Sequence, residues 1–140
     1  MESFLIWCIQ HTNNRKRIIK LAPPNTYYHN EDIRYCERYG IKYKLNLNDY
    51  QSWLLYFFSD NDSSFGSLKH LKEGDVVMDV GGNIGQTALM MAKRVGNSGR
   101  IYSFEPFTRT YDRFKENLSL NPSIRNITLH KLALGAKAEK

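Results

Sequence analysis

The 140-residue chain has only two cysteines, Cys8 and Cys36. They lack metal-site spacing, and two cysteines build no disulfide framework, so a reduced cytoplasmic protein with idle thiols is expected. The four histidines, His11, His29, His70 and His130, are scattered, without the paired spacing of a zinc site. No metal is expected. No apolar run approaches the roughly 18–20 residues of a membrane span. The stretch Phe4 to Ile9 is apolar but short, and it lacks the basic lead and small-residue cleavage site of a signal peptide. Repeats and low-complexity segments are absent. So is a long run of one charge: the net charge is +6, yet the densest basic cluster is only Arg15, Lys16, Arg17 and Lys20. That cluster reads as a solvated face, which makes nucleic acid an unlikely partner. With 24% charged and 41% hydrophobic residues, the chain has the material for one domain and a real core.

The first 25 or so residues give the weakest pattern: a helix around Phe4 to Ile9, then a linker at Pro23-Pro24. From Ile33 to Leu47 the chain reads as extended. Ile41, Tyr43, Leu45 and Leu47 alternate with Lys42, Lys44 and Asn46, the pattern of a half-buried strand, and Gly40 is placed to turn a hairpin. Asn48-Asp49 caps an aromatic helix, Tyr50 to Phe58. A polar loop, Asp60 to Ser64, and a short helix, Phe65 to Leu71, lead to a regular alternation. Strand Val76–Val80 is followed by a helix over 86–95 with Ala88, Leu89, Ala92 and Val95 on one face. Next come strand 100–104, a helix from Thr108 to about Leu120 with a stripe of Phe107, Tyr111, Phe114 and Leu118, and strand 126–132. The order β-α-β-α-β predicts parallel strands joined by crossovers. The expected division is an N-terminal lead-in over 1–73 and an α/β, Rossmann-like region over 74–140.

The chemistry gathers where the first of these strands ends. Val76, Val77, Met78 and Val80 form an apolar run, expected to be covered on both faces. Asp79 interrupts it, and Gly81-Gly82-Asn83-Ile84-Gly85 follows as a tight turn into the helix. Glycines there admit positive φ and close approach of a ligand, and the helix start offers free N–H groups. This is not the dinucleotide pattern G-x-G-x-x-G. A buried acid beside a pyrophosphate would also repel it. Asp79 suits a ligand that is cationic at that point, as S-adenosylmethionine is on its amino and sulfonium groups. Glu105 ends the next strand, 24 residues after Gly81. Acids about 20 residues beyond such a turn bind ribose hydroxyls.

Asp79-Val-Gly-Gly-Asn-Ile-Gly85, Phe104-Glu105-Pro106, Asn117-Leu-Ser-Leu-Asn121, Asn126-Ile-Thr-Leu and Ala133-Leu134-Gly135 together resemble the FkbM family of S-adenosylmethionine-dependent methyltransferases. The resemblance runs over about 41–140 and is clearest over 75–135. It implies a class I, Rossmann-like methyltransferase fold that methylates hydroxyl groups of small molecules, sugars or natural products. It also implies that Asp79, Gly81, Gly82, Asn83 and Gly85 line the methionine part of the cofactor, Glu105-Pro106 the ribose, and Ala133-Leu134 the adenine. Gly82 stands where the family more often has alanine. No general base is assigned. The fold so implied has seven strands, of which this chain supplies three. It therefore reads as a fold truncated after the third parallel strand, a fragment of doubtful activity alone. Other readings are a non-catalytic cofactor-binding or partner-pairing half-domain, a dinucleotide oxidoreductase and an RNA methyltransferase. Oligomeric state stays open.

Overall fold

The computed structural model describes residues 2–12, 19–58 and 66–135. The basic residues Arg15 to Arg17 and the loop Asp60 to Ser64 lie outside these. The chain divides into two compact units: residues 1–38 with 43–61, and residues 39–42 with 62–140.

The first unit contains helix α1 (Glu2–Gln10), strand β1 (Ile33–Arg38), most of strand β2 (Ile41–Asn46) and helix α2 (Tyr50–Phe57). The hairpin turns at Tyr39 and Gly40, both with positive φ, +56° and +66°. Two such residues in a row suit the handed twist of a tight hairpin. Tyr43, Leu45 and Leu47 are fully buried, as their alternation predicts. Asp49 caps α2: its carboxylate accepts the Ser52 N–H at 3.2 Å and the Ser52 hydroxyl at 2.8 Å. Glu2 ties α1 down through two bonds from Arg34, at 3.0 and 3.1 Å. Phe4 and Trp7 of the same helix are exposed. The expected linker at Pro23-Pro24 is instead packed in place: Ala22 is buried and the Trp53 indole donates to the Pro23 carbonyl at 2.8 Å.

The second unit is a three-stranded parallel sheet, β3 (Val76–Val80), β4 (Arg100–Phe104) and β5 (Ile127–His130), in the order β3-β4-β5. Helix α3 (Gln86–Val95) packs against all three strands and has the bounds its sequence predicts. Ala88, Leu89, Ala92 and Val95 are buried on its inner face. Helix α4 spans Thr108–Ser119. Its buried residues are Phe114 and Asn117, while Phe107, expected in the stripe, is 73% exposed because it lies before the first turn.

Two expectations are corrected. Strand β3 is not covered on both faces: Val77 and Asp79 face inward, but Val76, Met78 and Val80 are more than 60% exposed. The reason is topological. Among the described residues no helix covers that face of the sheet, and Tyr102 of the central strand, paired with Met78, is exposed on it as well. Strand β5 is also shorter than 126–132. It spans Ile127–His130; the Asn126 carbonyl still accepts the Ile101 N–H at 2.8 Å, while its side-chain amide caps α3, donating to Ala92 O at 3.0 Å and Gly96 O at 2.8 Å. No helix among the described residues is long and apolar enough to cross a membrane.

Asn126→Ala removes two side-chain bonds to carbonyls at the end of α3, at Ala92 and at Gly96, the latter keeping the Gly99 N–H at 3.2 Å. Urea unfolding is expected to show a loss of about 1–3 kcal/mol; an unchanged midpoint would mean the cap carries no stability.

Candidate functional site

The turn between β3 and α3 is built by the end of β4. The Phe104 carbonyl accepts both the Gly81 N–H at 2.9 Å and the Gly82 N–H at 3.0 Å. Gly85 N–H bonds to Gly82 O at 2.8 Å. Gly81, Asn83 and Gly85 all have positive φ, +82°, +48° and +87°. At Gly85 a Cβ would run into the Phe114 ring. Glycine is therefore required there by packing as well as by backbone conformation. At Gly82 a Cβ would collide with the Ser103 hydroxyl and come within 3.1 Å of Asp79 Oδ2. The glycine at position 82 thus makes room for a side chain of the neighbouring strand.

That side chain matters. The parallel register sets Ser103 beside Asp79, and the Ser103 hydroxyl donates to Asp79 Oδ2 at 2.7 Å. Asp79 is 8% exposed. Burial pushes its carboxyl above the usual range; the Ser103 bond opposes that, and the nearby Glu105 charge adds to it. Asp79 Oδ1 takes no hydrogen bond from the described residues. The site thus holds a largely buried carboxylate with one oxygen that the described residues leave unused.

Glu105 is buried as well, and most of its capacity is spent. Oε2 accepts the Asn83 N–H at 2.8 Å; Oε1 accepts the Phe107 N–H at 2.9 Å and the Thr110 hydroxyl at 2.7 Å. A carboxylate offers about four acceptor sites. Three are taken, so one remains for a ligand rather than the two that a pair of ribose hydroxyls would use. Glu105 is first a clamp joining the glycine turn to the start of α4. Asn117, fully buried, adds a second brace by donating to Ile84 O at 2.9 Å.

Asp79, Gly81, Gly82, Asn83, Gly85 and Glu105 therefore come together at the C-terminal end of the sheet. Pro106 follows directly and is exposed. Ala133 and Leu134 lie beyond the end of β5 at the same sheet end, exposed, with no bond joining them to the two acids. Two supporting residues, Ser103 and Thr110, were not singled out from the sequence. Ser103 had a signal, a small polar residue at an inward position of the strand Arg100–Phe104. Thr110 had none beyond being polar on an amphipathic helix, whereas Asn117 opens the motif Asn117 to Asn121.

No family profile matches the chain. Over 62 residues it is 37% identical to the protein-L-isoaspartate O-methyltransferase of Methanothrix thermoacetophila, covering 44% of this chain and 29% of that protein. Among solved structures, it is similar to the P. horikoshii TYW2 in complex with MeSAdo, at TM-score 0.58 and 21% identity, over 76% of this chain and 38% of that one. The M. jannaschii TYW2 in complex with AdoMet gives TM-score 0.54 and 22% identity, over 76% and 45%. The chain thus spans less than half the length of each. These likenesses establish the fold: the second unit has the Rossmann-like class I methyltransferase fold.

Asp79 also sets a pH dependence. Its folded pKa is raised, so the native state holds its proton more tightly than the unfolded chain. The charged form therefore destabilises the fold above that pKa; the cost shrinks as pH falls through it and is gone below the unfolded value. Asp79→Asn is expected to unfold at higher urea than the parent at pH 7, with the difference closing below about pH 3.8, the ordinary aspartate value. A constant difference across that range would show that ionisation is not the cause.

Proposed function

We propose that this chain is the cofactor-binding part of an S-adenosylmethionine-dependent methyltransferase. The observation that carries the reading is the buried Asp79 carboxylate with a free oxygen beside the glycine turn. Such a group is a poor neighbour for a phosphate and a good one for a cation. The two acids divide the work. Asp79 attracts the positive methionine end. Glu105 holds Asn83 and the helix start in place and offers its remaining acceptor site to one ribose hydroxyl. A Cβ built at Gly81 would meet nothing within 4 Å, so the backbone is open to close approach there. The amides of Gly81, Gly82, Asn83 and Gly85 are already bonded within the protein. Those of the first turn of α3 are left to take the methionine carboxylate. Pro106, Ala133 and Leu134 border the ribose and adenine side. When bound, S-adenosylmethionine supplies an electrophilic methyl group on sulfur; these residues bind and orient it. Rate would then come largely from alignment with an acceptor.

The acceptor class we infer is a hydroxyl of a small molecule, a sugar or natural product. It rests on the motif set Asp79 to Gly85, Phe104-Glu105-Pro106 and Asn117 to Asn121, which resembles FkbM methyltransferases.

Calorimetry on the chain tests the cofactor reading. S-adenosylmethionine should bind and NAD should not, and affinity should fall as pH drops through the raised Asp79 pKa. Glu105→Gln, which replaces an acceptor by an amide donor facing N–H groups, should weaken binding about 10-fold or more. Binding of NAD alone, or an unchanged affinity in Glu105→Gln, would count against it.

A further inference from the structure

A cleft in the Rossmann-like unit shares no residue with the glycine turn. It encloses about 250 Å³ along the C-terminal half of α3. Its floor is apolar: Ile41, Leu68 and Met90 are all buried. Its rim is cationic, with Lys69, Lys93 and Arg94 all exposed. Lys93 Nζ donates to Tyr39 O at 2.7 Å and Gly40 O at 3.3 Å, which holds its ammonium at the mouth. Arg94 spends only Nε, on Leu71 O at 3.4 Å. Among the described residues no carboxylate ion-pairs with any of the three. Placing Lys93 and Arg94 in the last turn of α3 complements the helix dipole. That does not account for Lys69, which comes from the separate turn Gly66–His70, nor for an apolar floor between the three.

We propose that this cleft binds a small amphipathic anion: an aromatic ring bearing a phosphate monoester. The size admits a single ring, since sites for drug-sized ligands run about 300–1,000 Å³. Met90 and Tyr39 offer the sulfur and ring contacts that favour an aromatic body. Three uncompensated cations match a phosphate dianion, with the free guanidinium edge of Arg94 able to meet two of its oxygens. The site does not depend on the methyltransferase reading.

Methyl-labelled methionine NMR of the chain tests this with phenyl phosphate, phenol and inorganic phosphate as probes. Phenyl phosphate should shift the Met90 methyl and leave Met78, on the open sheet face, unmoved. Phenol and inorganic phosphate should each bind more weakly, because each lacks one half of the match. Lys69→Met and Arg94→Met, both exposed positions, should each weaken phenyl phosphate about 3-fold or more. Saturating S-adenosylmethionine should leave the titration unchanged. An unmoved Met90, inorganic phosphate binding as tightly as phenyl phosphate, or unaltered affinity in Lys69→Met would overturn the proposal. A chain that fails to bind S-adenosylmethionine but shifts Met90 separates the two claims.

Discussion

The second unit depends on the hold that the end of β4 has on the turn leaving β3. One carbonyl, Phe104 O, takes two successive glycine amides, and the next residue's carboxylate takes the third, at Asn83. A turn with three positive-φ residues is costly to order. These bonds offset that cost, and the one to the carboxylate is charge-assisted and stronger than a neutral pair. The same carboxylate reaches forward to Phe107 and Thr110, so one side chain sets both the glycine turn and the start of α4. The glycine turn and the start of α4 are therefore positioned by strand register, not by the loop alone.

The register also explains the electrostatics. It brings Asp79 beside Ser103, and the glycine at 82 makes space for that hydroxyl. A larger residue at 82 would displace the Ser103 hydroxyl, which stabilises the Asp79 charge. Two acids near each other in a poorly hydrated place are strained without a cation. A positively charged ligand relieves that strain on binding.

Much of this was legible in the residues. The period of α3, the alternation of Ile41 to Leu47 and the glycine turn each follow from local pattern, and local pattern decided them. What was not legible depended on tertiary neighbours. The apolar run of β3 reads the same whether one face or two are covered; Val76, Met78 and Val80 are exposed because no described helix covers their face of the sheet, on which Tyr102 of the central strand is exposed too. Asn126 has strand neighbours in sequence, but its amide finds the open carbonyls at the end of α3. Glu105 was recognisable as an acid at the right spacing, yet its three internal partners come from residues 2, 5 and 22 positions away, which no single pattern links. Pro23-Pro24 reads as a break, and the Trp53 indole that anchors it is 30 residues on.

The central claim is that the turn from Asp79 to Gly85 receives a ligand because Asp79 carries an unmatched negative charge. Amide NMR of the chain titrated with S-adenosylmethionine and with S-adenosylhomocysteine, which lacks the sulfonium charge, tests it most directly. The account predicts shifts at Asn83, Gly85, Gln86 and Ser103 with both, and tighter binding of the charged ligand that disappears in Asp79→Asn. Equal affinity for the two ligands in the parent chain, or shifts confined to residues away from this turn, would contradict it.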